Sequence, residues 1–144
     1  MLKFEKRLTI NRPRQEVFDF VSDPANDALY RSGARYSEWS SEGPVGVGST
    51  MRSVDRLMGR DVETTSEITI WDPPQKYAFQ TVGGSFPAQF TLTFEPTDEG
   101  TELTSRGEIE FRGVLKVAEW LFGKQLENQA QSDFDTLKLL LEDA

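Results

Sequence analysis

The stretch INRPRQEVFDFVSDPAN, residues Ile10–Asn26, decides the fold because a strand period gives way there to a helix period. Before its first proline, apolar residues occupy alternate positions, at Leu2, Phe4, Leu8 and Ile10. After that proline they recur at steps of three and four, at Val17, Phe18, Phe20 and Val21. Proline is tolerated in a first helical turn because its missing N–H has no partner there. Pro24 disfavours helical geometry at Asp23, so this helix is predicted to be about two to three turns long.

Short strands are predicted to follow in quick succession after a second short helix near Asn26–Tyr30. They are Ala34–Ser40, Thr50–Met58, Arg60–Trp71 and Lys76–Val82. Gly59 and the DPPQK sequence mark turns between them. The glycine-rich stretch Gly43–Ser49 predicts a loop or bulge, because its spacing fits neither a phosphate-binding loop nor a dinucleotide fingerprint.

Two further strands and a long helix complete the predicted order. Residues 86–95 and 101–111 alternate between two faces, which indicates an antiparallel sheet with one covered face. From about Gly113 the period changes, and apolar residues recur at helical spacing from Leu115 to Leu141. The predicted fold is therefore α+β, with a curved antiparallel sheet of about seven strands wrapped around the C-terminal helix. Two short helices lie between its first and second strands.

Such an architecture has room for a ligand. A curved sheet that holds a long helix tends to leave space between the two, and pockets favour apolar concavities of this kind. The two short helices are then expected to close one end of the groove. The chain shows no internal repeat or linker, so residues 1–144 are predicted to form a single domain.

The composition restricts the available chemistry. The chain has no cysteine and no histidine, which excludes disulfides, thiolate nucleophiles and every catalytic arrangement that needs an imidazole. Its net charge of −8 opposes general binding to nucleic acid, and is typical either of high-salt adaptation or of a solubilising surface. Without a leader or an apolar run of about 20 residues, a cytoplasmic protein with no stable membrane insertion is expected. The pattern indicates no metal and no cofactor, and it leaves the oligomeric state open.

Several motifs together resemble the START-like superfamily (SRPBCC, Bet v 1-like). They are INRPRQEVFDFVSDPAN, GPVGVGS, GRDVETTSEITIWDPPQKYAF, FTLTFEPTDEGTELT and DFDTLKLLLED, in the right order over nearly the whole chain. Within that superfamily the chain is similar to the polyketide cyclase/dehydrase and lipid transport-like branch. This resemblance implies a helix-grip fold with an apolar cavity between a seven-stranded sheet and the C-terminal helix. It also implies binding or transport of a lipid-, sterol- or polyketide-like molecule, and no universal catalytic residue.

The residues expected to line the cavity or its mouth belong to the strands and to the long helix. They are Tyr36, Trp39, Met51, Ser53, Phe79, Thr81, Phe90, Leu92, Ser105, Trp120 and Leu121. Their hydroxyl groups are suited either to orienting a ligand or to bonding nearby backbone, and their large aromatic rings suit either a pocket or the core. Phe134 and Leu137 are predicted to be buried core further along the helix.

The strand Thr50–Met58 has two registers that its sequence does not separate. One register turns Met51, Ser53, Asp55 and Leu57 inward, and the other turns Thr50, Arg52, Val54, Arg56 and Met58 inward. An inward charge would need a partner or a ligand, because burying an unpaired charge is costly.

The remaining ionisable residues give no convincing catalytic pair. Asp133 and Asp135 stand two apart on a helix, where side chains do not share a face. Lys6 shares the apolar parity of the first strand, which suits either a catalytic amine, a bulge, or a stem that extends to water. The sequence therefore predicts binding of a small hydrophobic ligand. It leaves two alternatives, a polyketide cyclase or dehydratase type of enzyme and a protein-interaction module.

Overall fold

Strands and helices follow one another in the predicted order. The computed structural model describes residues 2–57, 59–84, 87–110 and 119–143, and for residues 57 and 119–122 it describes the backbone alone. The strands are β1 (Leu2–Ile10), β2 (Ala34–Trp39), β3 (Thr50–Leu57), β4 (Arg60–Asp72), β5 (Lys76–Gly83), β6 (Ala88–Thr97) and β7 (Gly100–Ile109). The helices are α1 (Arg14–Val21), α2 (Asp27–Tyr30), which follows a 3₁₀ turn at Pro24–Asn26, and α3 (Glu119–Glu142).

The strands form one antiparallel sheet in the order β1-β7-β6-β5-β4-β3-β2. Strands β1 and β2 follow each other in sequence but lie at opposite edges of this sheet. The chain must therefore cross one end of the sheet between them, and α1 and α2 lie on that crossing. This explains why a strand period gives way so abruptly to a helix period after Ile10.

Helix α1 is short because its sequence ends it. Its apolar residues Val17, Phe18 and Val21 are buried, and Asp23 and Pro24 then begin the 3₁₀ turn. The Asp23 carboxylate caps that turn by accepting a hydrogen bond from the backbone N–H of Ala25 at 3.0 Å. The helix therefore has a single apolar face, which it places on the sheet.

The hydrophobic core lies where α1 and the end of α3 meet the sheet. Phe18 contacts Phe94 edge-on at 5.1 Å between ring centroids, and Leu103 and Leu137 are fully buried. Phe134 packs against this core but is only half-buried, which is less than the sequence predicts.

Helix α3 runs beside β1. The Lys138 ammonium donates to the Thr9 carbonyl at 2.6 Å, and the Lys6 ammonium donates to Gln131 Oε1 at 3.2 Å. The register of β1 with β7 is unbroken, so Lys6 sits in no bulge and its stem extends to the helix surface instead. The predicted start of this helix near Leu115 lies outside the described residues.

The sheet register settles the orientation of β3. Ser53 pairs with Thr64 on β4 and with Ser37 on β2, and Ser37 is buried. Met51, Ser53 and Asp55 therefore face inward, and the alternative register with Arg52 inward is wrong. Arg52 lies on the outer face, where it forms two hydrogen bonds to Glu63 at 2.6 and 3.2 Å.

The other strands keep close to their predicted bounds. The predicted hairpin at Gly59 is confirmed by its positive φ of 78° between the paired ends of β3 and β4. The predicted first residue of the sixth strand, Phe86, lies outside the described residues. Within the described ranges, no helix is long and apolar enough to cross a membrane.

Candidate ligand-binding groove

The inner face of the sheet is covered unevenly. Phe94 and Leu103 are 1% and 0% exposed, whereas Phe79 and Phe90 on the central strands β5 and β6 remain half-buried. The Phe79 and Phe90 rings stack with their centroids 5.6 Å apart, and Phe79 also stacks on Tyr77 at 6.2 Å. In a close-packed core, aromatic rings at the centre of a sheet beneath a helix would be covered. Their partial exposure leaves apolar surface on the inner face of the sheet, which makes the space between this face and α3 a candidate groove.

A hollow of about 310 Å³ lies between the start of β1 and the start of α3, lined by Leu2, Lys3, Phe4, Gly123, Lys124 and Glu127. This volume is at the low end of the roughly 300–1,000 Å³ typical of ligand pockets. Gly123 permits the close approach of helix and strand, because a Cβ there would lie 3.0 Å from Leu2 Cδ1.

A second glycine forms the floor beneath the aromatic rings. Gly107 on β7 lies next to Phe4 on β1 and Phe90 on β6. A Cβ at Gly107 would clash with the Phe90 ring, so the ring lies directly over the backbone of β7. The floor of the groove is therefore flat and apolar at this point.

The opposite wall of the groove carries most of its polar side chains. On strands β2 to β4 the inward residues include the polar Ser37, Ser53, Asp55, Thr64 and Ser66 and the apolar Trp39, Met51 and Ile68. On β5 and β6 they include Tyr77, Phe79, Phe90, Leu92 and Phe94, with Thr81 on the same face. The groove thus has an aromatic wall and a hydroxyl- and carboxylate-bearing wall, which is the combination that orients a ligand with one apolar and one polar end.

An arginine joins α2 to the polar wall. Arg31 Nη2 donates to Asp55 Oδ1 at 2.8 Å, and its Nη1 donates to Asp27 Oδ2 at 3.2 Å. The side chains of Asp27 and Asp55 are 16% and 17% exposed, and that of Arg31 is 37% exposed. Asp133 on α3 accepts a hydrogen bond from the Ser32 backbone N–H at 2.9 Å. We call Asp27, Tyr30, Arg31, Asp55 and Asp133 the Arg31 cluster.

The electrostatics of the Arg31 cluster reflect burial and mutual charge. Burial raises the pKa of Asp27, and Arg31 opposes only part of that rise. Burial, and then the charge of Asp27, raises the pKa of Tyr30 above its ordinary range. Burial lowers the pKa of Arg31, but Asp55 and Asp27 outweigh it, so the pKa of Arg31 is above its usual value. Near neutral pH, Arg31 is therefore a cation and Tyr30 a neutral phenol.

Most residues predicted to bind a ligand do face inward. The sheet register places Trp39, Met51, Ser53, Phe79, Thr81, Phe90, Leu92 and Ser105 on the inner face. Leu92 is 9% exposed and belongs to the core, so the open part of the groove is lined by its half-buried neighbours. The side chains of Trp120 and Leu121 lie outside the described part of the chain.

Tyr36 is a correction to the predicted set. Its side chain is 41% exposed on the outer face, with the Arg52 guanidinium 5.6 Å from the ring centroid. The register of β2 shifts between Ala34 and Tyr36, and it is Ser37 and Trp39 that turn inward. Tyr36 therefore lies outside the groove.

Two threonines on the inner face form hydrogen bonds with the backbone. Thr81 Oγ1 accepts from the Ala88 N–H at 2.9 Å, and Thr101 Oγ1 donates to the Arg12 carbonyl at 2.8 Å. These two side chains therefore have structural hydrogen bonds, whichever ligand occupies the groove.

Sequence reasoning missed Asp27 and Arg31 as parts of the site. Arg31 follows a four-residue helix, and its bond to Asp55 joins positions 24 residues apart. One signal was present, because an inward Asp55 requires a cationic partner. Within the described ranges, no group of three or more His, Cys, Asp or Glu side chains is arranged to hold a metal ion.

Comparison with known proteins agrees with this fold. The sequence matches the model of a family described as polyketide cyclase/dehydrase and lipid transport over residues 1–142, and the chain belongs to that family. A comparison with curated proteins gave no match.

Solved structures share the fold at low sequence identity. The protein TTHA0849 from Thermus thermophilus aligns with a TM-score of 0.84 and 20% identity over 97% of each chain. The Zhui aromatase/cyclase from Streptomyces sp. R1128 aligns at 0.79 and 16%, covering 98% of this chain and 93% of its own. A START superfamily protein from Mycobacterium smegmatis aligns at 0.76 and 14%, covering 96% of this chain and 98% of its own. At these identities the likeness establishes the helix-grip fold alone.

Proposed function

We propose that this protein binds a small hydrophobic molecule, such as a lipid-, sterol- or polyketide-like compound, between the sheet and α3. The observation that carries the proposal is the stacked pair Phe79 and Phe90, which remains half-buried at the centre of the sheet. Exposed aromatic surface inside a concavity gains free energy when an apolar ligand covers it. Membership of a family described by polyketide and lipid chemistry supports the same class of ligand.

The two walls suggest how the ligand lies. Its apolar part would extend the Phe79–Phe90 stack towards the hollow at Leu2 and Phe4. Its polar part would face the opposite wall at Ser53 and beyond it the Arg31 cluster. Apolar contact would therefore hold the ligand on one side, and hydrogen bonds would orient it on the other.

Two neighbouring residues provide a matched test. Ser53 faces the groove and Val54 faces outward on the same strand. Ser53→Phe should fill the groove and weaken binding of a naphthol probe by about tenfold or more, whereas Val54→Phe should leave its affinity unchanged. Fluorescence titration measures both, after thermal melts show that each variant is folded. Equal effects of the two variants, or no binding by the unmodified protein, would contradict the proposal.

A second candidate function is catalysis of a polyketide cyclisation, favoured by the ionisable groups of the Arg31 cluster. Burial raises the pKa of Asp27, which makes its carboxylate a stronger base than an exposed one. In an aldol ring closure, Asp27 would remove a proton from the carbon between two carbonyls, and the resulting enolate would attack a third carbonyl. Tyr30 would supply a proton to the alkoxide that forms, and Asp27 would return the abstracted proton to the Tyr30 phenolate.

The Tyr30→Phe variant separates the two candidate functions. An enzyme of this kind should lose turnover of a poly-β-keto thioester in the variant while still binding a naphthol probe. If the unmodified protein binds the thioester but never converts it, the cyclase hypothesis is wrong and ligand binding stands alone.

A further inference from the structure

We propose that the Arg31 cluster makes the groove selective by charge, so that it admits neutral or cationic ligands with hydrogen-bond donors and rejects carboxylates. This inference rests on the proposed function and names the ligand class of the same site. It starts from an imbalance, since three carboxylates, those of Asp27, Asp55 and Asp133, surround the single guanidinium of Arg31.

The guanidinium is already engaged by its neighbours. Arg31 Nη1 and Nη2 donate to Asp27 and Asp55, so both terminal nitrogens serve carboxylates of the protein. A ligand carboxylate would bring another negative charge beside the aspartates. A hydroxyl or ammonium group would instead donate to carboxylates that the fold has already placed there.

Nearby cations do not cancel the imbalance. Lys6 faces inward on β1, but its ammonium reaches out to Gln131 in an exposed hydrogen bond on α3. Lys3 and Lys124 lie at the open hollow, on the same side as Glu127. The side chains beside β3 therefore carry a net negative charge, that of the aspartates.

A buried hydroxyl lies at the edge of the cluster, beside Asp27. Ser37 is 8% exposed on the inner face of β2, and its Oγ is buried without a hydrogen bond of ordinary geometry. It lies close enough to Asp27 to lower the pKa of that carboxyl, although burial raises the pKa overall. Buried hydroxyls nearly always have a partner, so a ligand hydroxyl or ammonium that reaches Ser37 and Asp27 would satisfy it.

The test uses three probes that share a naphthalene ring and differ in charge. They are 2-naphthol, 2-naphthoate and 2-naphthylmethylammonium, titrated against the full chain near pH 7 at low salt. The naphthoate should bind at least about tenfold more weakly than the naphthol, equivalent to about 1.4 kcal/mol, and the ammonium should bind no more weakly than the naphthol.

Two isosteric variants and one control identify the residues responsible. Asp55→Asn and Asp133→Asn should each reduce the ratio of the naphthoate Kd to the naphthol Kd by about threefold or more, because each removes one negative charge from the cluster. Glu63→Gln changes the net charge equally on the outer face, where Glu63 pairs with Arg52, and should leave that ratio unchanged. Thermal melts identify a variant that does not fold, and the other aspartate variant then decides.

The possible outcomes separate this inference from the proposed function. Naphthoate binding as tight as naphthol binding would overturn the charge selectivity while ligand binding itself survives. If Glu63→Gln reduces the difference in affinity between naphthol and naphthoate as much as the aspartate variants do, the effect comes from net charge and the role of the cluster is overturned. If none of the three probes binds, the proposed function fails and the inference fails with it.

Discussion

Replacing Phe79 by alanine should cost less stability than replacing Phe94, although both rings face the same side of neighbouring strands. Phe94 is 1% exposed, contacts Phe18 edge-on at 5.1 Å and stacks on Tyr77 at 6.1 Å. Truncating such a buried ring costs about 3–5 kcal/mol. Phe79 is half-buried, so about half of that loss is expected, roughly 1.5–2.5 kcal/mol.

The two variants should also differ in ligand binding. Phe79→Ala removes half of the stacked pair that lines the groove, so an apolar probe should bind more weakly, whereas a folded Phe94→Ala variant should keep most of its affinity. Urea titration gives the two free energies of unfolding, and their difference corresponds to a gap of roughly 3–10 °C between the melting temperatures. Equal losses of stability together with unchanged probe binding in Phe79→Ala would show that Phe79 is ordinary core and that the groove is filled.

Two further predictions concern the acid of the cluster and the glycine of the floor. Burial raises the pKa of Asp27 above 3.8, so the folded protein holds the Asp27 proton more tightly than the unfolded chain does. As the pH rises above about 4, ionisation of Asp27 therefore lowers the free energy of unfolding. The free energy of unfolding of Asp27→Asn minus that of the unmodified protein should therefore grow between about pH 4 and about pH 7, and a difference that stays flat in urea titrations would contradict the raised pKa. Gly107→Ala should push the Phe90 ring into the groove, costing about 1–3 kcal/mol and weakening probe binding, whereas Gly46→Ala, which meets no atom within 4 Å, should change stability by less than about 0.5 kcal/mol. Equal thermal shifts of the two glycine variants would show that the Phe90 ring does not need the space at Gly107.

The fold could be predicted from the sequence because local periods and global packing agree. Leu2 to Ile10 alternate, Val17 to Val21 follow a helical step, and the prolines mark where one gives way to the other. Each element therefore has one apolar side, and only a sheet closed by the C-terminal helix covers all of them. The structure confirms the helix-grip fold.

The site could be predicted only where the alternation is unambiguous. Phe79 and Phe90 are inward by parity alone, but β3 has polar residues on both faces, and only its pairing with β2 and β4 turns Ser53 inward. Tyr36 and Trp39 lie three positions apart on β2, so strand alternation allows only one of them to face inward, and the structure turns Trp39 inward and Tyr36 outward.

The Arg31 cluster is harder still to predict, since its members lie far apart along the chain. Asp133 reaches Ser32 across 101 positions, and no local spacing encodes such a contact. An inward Asp55 implies a cationic partner, but the sequence does not identify Arg31 as that partner.

The most direct measurement of the central claim is a crystal structure of the protein with 2-naphthol bound. The naphthol ring should lie between α3 and the inner face of the sheet, stacked against Phe79 or Phe90, with its hydroxyl directed towards the wall that carries Ser53 and Asp55. A naphthol found only on the outer face of the sheet, with side chains packed continuously between Phe79, Phe90 and α3, would contradict the existence of a binding groove.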